Sequence, residues 1–179
     1  DSSTSRGLGD VYKRQLTGGF GKRFKPLPGS VLDPHKTLVP NTFDLIITNP
    51  PYLESNSSNP SPEKRKNSAN VETEVDLGTW LNFSAKFLKP GGNISLIHRA
   101  DRLDHILALM RTSFGGLSVY PLWPKTGRPA KRVIVSGIKG SASPTKILPG
   151  AIIHNADGSY TAPVQAALTG EKLLADLLN

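Results

Sequence analysis

Four consecutive residues, Asn49-Pro50-Pro51-Tyr52, carry the clearest chemistry in this chain. An adenine amino nitrogen is a poor nucleophile because its lone pair is delocalised into the ring. The amide oxygen of Asn49 and the backbone carbonyl of Pro50 can each accept one of its N–H bonds, which aims the lone pair at an incoming methyl group. The prolines fix the backbone, and Tyr52 can stack on an unpaired base. The motif therefore predicts methylation of an exocyclic amine.

The residues that immediately precede this motif predict its place in the fold. Residues 43–48 read FDLIIT, an almost uninterrupted apolar run that is typical of a strand buried on both faces of a parallel sheet. Ligands of open α/β sheets bind just beyond the carboxyl ends of such strands. We therefore expect the motif at the ligand-binding edge of a sheet.

The rest of the chain predicts an α/β fold. Residues 54–70 are rich in Ser, Asn, Pro and charge, which predicts a long loop. After the loop we expect a helix ended by Pro90-Gly91-Gly92, a strand over 94–98, a helix capped by Asp101 with an apolar stripe reaching Phe114, strands over 117–122 and 132–138, a turn over 155–159 and a short helix over 163–168. This order fits a sheet that ends in an antiparallel hairpin.

The charge of the chain favours a polyanionic partner. Lys and Arg outnumber Asp and Glu by 22 to 14, for a net charge of +8, although a basic surface can also serve solubility alone. Two clusters can grip phosphates, and for each the alternative is a solvated charge run. The first comprises Lys64, Arg65 and Lys66 in the long loop, and the second Lys125 and Arg128, with Lys131 and Arg132, between the last two strands.

Composition also narrows the class of protein. The chain has no cysteine, and its four histidines show no metal-ligand spacing, so we expect neither a disulfide framework nor a metal site. No apolar run is long enough to span a bilayer, so no membrane association is expected. These features fit a cytoplasmic protein, and we expect a monomer.

Several segments resemble one enzyme family. Residues 43–52 resemble the strand-four motif of class I S-adenosylmethionine-dependent methyltransferases that act on amino groups. FLKPGG (87–92), IHRADRL (97–103), KRVIV (131–135) and the tail over 148–161 are similar to bacterial tRNA (adenine-N6) methyltransferases, which modify a valine tRNA beside its anticodon. The resemblance implies a Rossmann-like fold, S-adenosyl-L-methionine as cofactor, tRNA as partner, and Asn49, Pro50, Pro51 and Tyr52 as the base-binding and catalytic loop.

The chain departs from that family in the cofactor region. The glycine-rich loop after strand one and the acidic residue after strand two do not occur in it. Gly29-Ser30-Val31 stands where the family has Gly-Asp-Val near the cofactor's adenine, which implies Ser30 and Val31 as cofactor contacts without the carboxylate. We therefore expect residues 16–179 to be the C-terminal part of a methyltransferase domain. Residues 1–15 resemble a translated sequencing adapter and are set aside as a non-native leader.

Two alternatives stay open. The same four-residue loop occurs in related enzymes that methylate ribosomal RNA guanine, DNA adenine or a protein glutamine amide, and the region from His98 onward favours tRNA among these acceptors. Alternatively, the chain by itself is a non-catalytic RNA-binding piece. Binding of tRNA that falls steeply with salt, without detectable cofactor binding, would support that second reading.

Overall fold

The computed structural model describes residues 27–50 and 76–171 of the chain. The chain divides into two compact units, residues 1–38 and 39–179, and each is described by itself. In the first unit, residues 27–38 form turns and irregular backbone without helix or strand. The predicted boundary between residues 15 and 16 lies outside the described residues.

The second unit is built on a mixed six-stranded sheet. Its elements are β1 (Phe43–Thr48), α1 (Leu77–Phe87), β2 (Leu88–Arg99), a 3-10 turn (Ala100–Arg102), α2 (Leu103–Met110), β3 (Phe114–Trp123), β4 (Arg132–Lys139), β5 (Lys146–Ile147), β6 (Ala151–Ile152) and α3 (Ala162–Thr169). The strand order is β1-β2-β4-β3-β5, and β6 also pairs with β3. Strands β1 and β2 are parallel, whereas β4 is antiparallel to both β2 and β3. The predicted α/β sheet ending in an antiparallel hairpin is confirmed.

One hydrophobic core lies between a face of this sheet and the helices α1 and α2. Side chains alternate along a strand, so every second residue of β2 from Ile94 to His98 is buried. Burying one aliphatic side chain of this kind stabilises the fold by roughly 1.5–3 kcal/mol. The core is formed by Leu81, Leu88, Ile94, Leu96, Ile106, Met110, Phe114, Leu117, Val119, Val133 and Val135.

Strand β1 occurs where it was predicted, but the expectation that both its faces are buried was wrong. Leu45 is 53% exposed and Ile47 is 77% exposed, whereas Ile46 packs against the core. The reason is topological. Among the described residues β1 pairs with β2 alone, and α1 and α2 cover the face that carries Ile46.

The junction between α1 and β2 also differs from the prediction. The helix ends at Phe87, and β2 begins at Leu88 rather than at residue 94, so the Pro90-Gly91-Gly92 segment lies inside the strand. Leu88 is extended, fully buried and paired with Phe43. The segment is accommodated as a break in the β1–β2 register, where Gly91 has a φ of +76° that glycine adopts without strain.

The second predicted helix is shorter than expected at both ends. Asp101 does not cap it, because its carboxylate accepts hydrogen bonds from the guanidinium of Arg99. The helix α2 ends at Met110, and Phe114 is the first residue of β3. Phe114 still reaches the core that its helical spacing predicted, but it does so from a strand.

The hairpin and the tail follow the predictions more closely. Strands β3 and β4 contain the predicted spans, and α3 includes the predicted 163–168 segment. Helix α3 carries a proline in its first turn and ends at Gly170 with a φ of +77°, the two residue types that favour those positions.

Candidate functional site

The Asn49-Pro50 segment follows the carboxyl end of a parallel strand pair. Thr48, the last residue of β1, pairs with Leu96 of β2, which itself continues to Arg99. The Asn49 side chain is exposed, whereas the Pro50 ring is fully buried. A buried proline fixes the backbone here, so the exposed amide is presented from an anchored position.

The end of β2 beside this segment carries a buried histidine and an exposed ion pair. His98 is 6% exposed, and burial, followed by the charges of Arg102 and Arg99, lowers its pKa despite the opposing effects of the Arg99 backbone and Asp101. The imidazole is therefore held in its neutral form. On the other face, Arg99 Nε donates to Asp101 Oδ1 at 3.0 Å, and this contact lowers the pKa of the Asp101 carboxyl.

The predicted basic residues Lys125 and Arg128 lie at the same edge of the sheet. Leu122 near the end of β3 pairs with Arg132 of β4, and Arg132 pairs with Arg99 at the end of β2. The carboxyl ends of β1, β2 and β3 therefore share one edge. Both cations follow β3 in the loop to β4, and their side chains are exposed.

Sequence reasoning missed a cavity beside these two cations. We call it the tail cleft; it lies between the β3–β4 loop and the segment around β6 and has a volume of about 570 Å³. Its walls are formed by Trp123, Lys125, Thr126, Gly127, Arg128, Pro129, Pro149, Gly150 and Ile152. The tail packs closely enough on β3 that a Cβ at Gly150, whose φ is +82°, would lie 2.3 Å from the Pro121 carbonyl oxygen. Only the unusual closeness of a tryptophan to two cations could have suggested this cleft from the sequence.

Hydrogen bonds hold the parts of the tail cleft together. The Trp123 Nε1 donates to the Pro149 carbonyl at 3.2 Å, and the backbone N–H of Ile153 donates to the Trp123 carbonyl at 2.8 Å. Lys125 Nζ donates to the Ala156 carbonyl at 2.9 Å. These contacts fix the indole ring and one of the two cations in place.

The tail motif over residues 154–160 forms a self-bonded turn next to this cleft. The His154 and Tyr160 rings stack at 4.9 Å between centroids, and the Asn155 amide donates to Ser159 Oγ at 2.9 Å. Asp157 accepts from the Ser159 hydroxyl and backbone N–H, which lowers the pKa of its carboxyl. The turn supplies the carbonyl that Lys125 binds, so the motif has a structural role here.

Ser30 and Val31, the predicted cofactor contacts, lie in the first unit. Ser30 is exposed, and its hydroxyl oxygen accepts from the Leu32 backbone N–H at 3.2 Å, which leaves the hydroxyl proton to donate. Val31 is half-buried. One polar and one apolar contact of this kind fit the edge and face of a purine ring.

The remaining predicted residues, Pro51, Tyr52, Lys64, Arg65 and Lys66, lie outside the described residues. Within residues 27–50 and 76–171, the structure contains no group of three or more His, Cys, Asp or Glu side chains that could hold a metal ion. No helix in the described part of the chain is long and apolar enough to cross a membrane.

Sequence comparison finds relatives that share one name. A protein named tRNA1(Val) (adenine(37)-N6)-methyltransferase from Actinobacillus pleuropneumoniae serotype 7 (strain AP76) is 32% identical over 145 residues, which cover 79% of this chain and 57% of that protein. A protein of the same name from Porphyromonas gingivalis (strain ATCC BAA-308 / W83) is 33% identical over 89 residues, or 49% of this chain and 34% of that protein. This chain thus spans a little over half the length of the first relative. No family model matches the chain.

A solved structure supports the fold. A crystal structure described as a predicted O-methyltransferase, protein Atu636 from Agrobacterium tumefaciens, superposes with a TM-score of 0.73 over 95% of this chain and 74% of that chain, at 22% identity. At that identity the likeness shows the fold alone, and it confirms the Rossmann-like methyltransferase architecture. The sequence relatives confirm the family resemblance: this chain is, over most of its length, a homologue of the tRNA1(Val) (adenine(37)-N6)-methyltransferases.

Proposed function

We propose that the protein transfers a methyl group from S-adenosyl-L-methionine to the exocyclic amino group of an adenine in tRNA. The observation that carries this proposal is the position of Asn49 and Pro50, which follow the carboxyl end of β1 where it pairs in parallel with β2. Open α/β sheets bind their ligands at this edge. The name of the sequence relatives supports adenine in tRNA as the acceptor.

Asn49 and Pro50 would position the acceptor amine. The Asn49 amide oxygen and the Pro50 backbone carbonyl each accept one amino N–H, which localises the nitrogen lone pair and directs it along the line of attack. Since the Pro50 ring is buried, its carbonyl is preorganised and loses little freedom when the base binds. Pro51 and Tyr52 complete the loop, with the Tyr52 ring stacking on the base.

Ser30 and Val31 would contact the cofactor's adenine. The Ser30 hydroxyl retains a proton that it can donate to a ring nitrogen, and Val31 packs against the ring. When bound, S-adenosyl-L-methionine supplies the electrophilic methyl group. The chain's own part is to hold the amine, exclude water and orient the base.

Basic residues would hold the tRNA backbone. Lys125 and Arg128 lie at the same sheet edge as Asn49, and Lys64, Arg65 and Lys66 follow the catalytic loop in the sequence. Phosphate contacts of this kind set the register of the nucleic acid without reading its sequence. The net charge of +8 supports such a partner.

The proposal is tested by identifying the methylated product. The natural full-length protein is incubated with isotope-labelled S-adenosyl-L-methionine and an unmodified valine tRNA transcript, and the digested RNA is separated by chromatography. We expect label in N6-methyladenosine, and no label in a matched transcript in which adenine 37 is replaced by guanine. Label in methylguanine of ribosomal RNA, in DNA or in protein glutamine, with none in tRNA, would overturn the proposal.

A further inference from the structure

The tail cleft combines an aromatic wall with two exposed cations. Trp123, Pro149 and Ile152 form its apolar side, and Lys125 and Arg128 stand on the loop that forms the other side. The loop over residues 124–131 carries three cations and no acidic residue. A volume of about 570 Å³ falls in the range of pockets that hold a small molecule or one nucleotide.

The aromatic wall is rigid and therefore suited to stacking. The Trp123 indole donates to the Pro149 carbonyl at 3.2 Å, and the tail backbone bonds to Trp123 and Pro124 at 2.8 and 3.1 Å. A ring already fixed by the fold loses little entropy when a second ring packs against it. Such base–aromatic stacking stabilises single-stranded nucleic acid complexes by roughly 1–3 kcal/mol per base.

The cleft and the Asn49-Pro50 segment face the same edge of the sheet. The strands β1, β2, β4 and β3 are neighbours in that order, and the ends of β1, β2 and β3 lie together. Three strand spacings of about 4.8 Å, together with the four residues by which β3 runs past the level of Thr48 at about 3.3 Å each, put the end of β3 roughly 20 Å from the end of β1. One single-stranded segment can therefore reach both places.

From these observations we infer that the tail cleft binds a second, unpaired nucleotide of the RNA substrate, a few positions from the adenine at Asn49. The base packs on Trp123 and the apolar wall, and its phosphates contact Lys125 and Arg128. This inference rests on the proposed function for the identity of the RNA, but RNA binding in the cleft can be measured without methyl transfer.

The test uses Trp123 as its own reporter. The chain has two tryptophans, so a Trp80→Phe background leaves Trp123 as the sole indole, and an unmodified anticodon stem-loop RNA is the probe. We expect the RNA to quench Trp123 fluorescence. Arg128→Gln should weaken the RNA affinity about 5- to 10-fold. It should also lower the slope of log Kd against log salt concentration by about one, as expected when one phosphate contact is lost.

Arg111→Gln is the matched control, because Arg111 is also exposed but follows α2, just before the amino end of β3. It should leave the affinity and the quenching unchanged. Thr126→Glu, at another exposed lining residue, provides a second disruptive variant that adds a negative charge to the cleft. RNA binding without quenching of Trp123, or equal effects of Arg128→Gln and Arg111→Gln, would overturn the inference.

The two proposals fail separately. Quenching of Trp123 by the RNA, together with the loss of affinity in Arg128→Gln, supports the cleft even where no N6-methyladenosine is formed. Formation of N6-methyladenosine at normal efficiency by Arg128→Gln and Thr126→Glu contradicts the cleft and leaves the methyl transfer standing. Absence of any RNA binding overturns the cleft by itself.

Discussion

Thr48 is paired in parallel register with Leu96, three residues before β2 ends at Arg99. This pairing fixes the point along the sheet at which the chain leaves β1. Asn49, the next residue, therefore lies beside the last residues of β2. The end of β3 lies at the same edge of the sheet, because Leu122 pairs with Arg132 and Arg132 pairs with Arg99. The Asn49-Pro50 segment and the tail cleft are therefore held by one sheet.

The docking of the tail on β3 depends on Gly150. We predict that Gly150→Ala destabilises the fold by about 2 kcal/mol or more, because the added Cβ would meet the Pro121 carbonyl oxygen at 2.3 Å and Trp123 Nε1 at 2.8 Å at a φ of +82°. Denaturant unfolding of the two proteins measures the difference. In the variant, the Trp123 side chain should also become more exposed to solvent.

Gly158→Ala is the control for this prediction. Gly158 has a φ of +92°, but nothing lies within 4 Å of the Cβ that alanine would add. Its cost should therefore be limited to backbone strain, about 1 kcal/mol. Equal destabilisation by the two substitutions would show that Gly150 is needed for its backbone conformation alone and not for close packing.

The buried His98 predicts a loss of stability in acid. Because burial lowers its folded pKa below the ordinary value of 6.5, the unfolded chain takes up the proton first as the pH falls. The stability that the neutral imidazole supports is complete above pH 6.5 and is lost as the pH falls toward and through the folded pKa. Substituting His98→Phe should flatten the pH dependence of unfolding as the pH falls below about 6.5.

The matched control is Asn82→Ala, at an exposed residue of α1 that carries no titratable group. It should keep the pH dependence of the parent protein. Unfolding curves that shift with pH by the same amount in His98→Phe and in the parent would contradict a neutral, buried His98.

The start of α1 depends on its cap residue. Asp76 Oδ1 accepts from the Thr79 backbone N–H at 2.7 Å, so Asp76→Ala should cost about 1 kcal/mol and Asp76→Asn much less. The bonds from Thr79 lower the pKa of Asp76, so the benefit of the ionised cap is present above its ordinary value of 3.8 and is lost as the pH falls through the folded pKa. Thermal melting of the three proteins at neutral and acid pH tests this. Equal melting temperatures for the parent and Asp76→Ala would contradict a capping role.

The sequence predicted the elements well where local periodicity and core packing agree. The apolar runs at 43–48 and 133–135 identify strands, and the stripe containing Leu81 identifies α1. The predictions failed where tertiary pairing overrode local signals. Pro90-Gly91-Gly92 would end a helix in isolation, but here it is held in β2 by pairing of the flanking residues with β1.

The candidate site was predictable only in part. The four-letter motif predicts Asn49 and Pro50 as site residues, and the structure confirms only that they follow the carboxyl end of a strand. Beyond the closeness of a tryptophan to two cations, nothing local predicts the tail cleft, since Trp123 and Pro149 are 26 residues apart and meet through the parallel pairing of β5 and β6 with β3. The exposure of Leu45 and Ile47 likewise depends on which elements cover a face, which periodicity does not encode.

The central claim, that Asn49 positions the acceptor amine, is tested most directly by the turnover of Asn49→Ala in the natural full-length protein. Asn82→Ala, an exposed asparagine on α1, is the matched control. We predict that Asn49→Ala lowers kcat for adenine methylation in tRNA by about 100- to 1000-fold, with unchanged KM for tRNA, because one positioned acceptor is lost in the transition state. Turnover of Asn49→Ala equal to that of Asn82→Ala and of the parent would contradict the account.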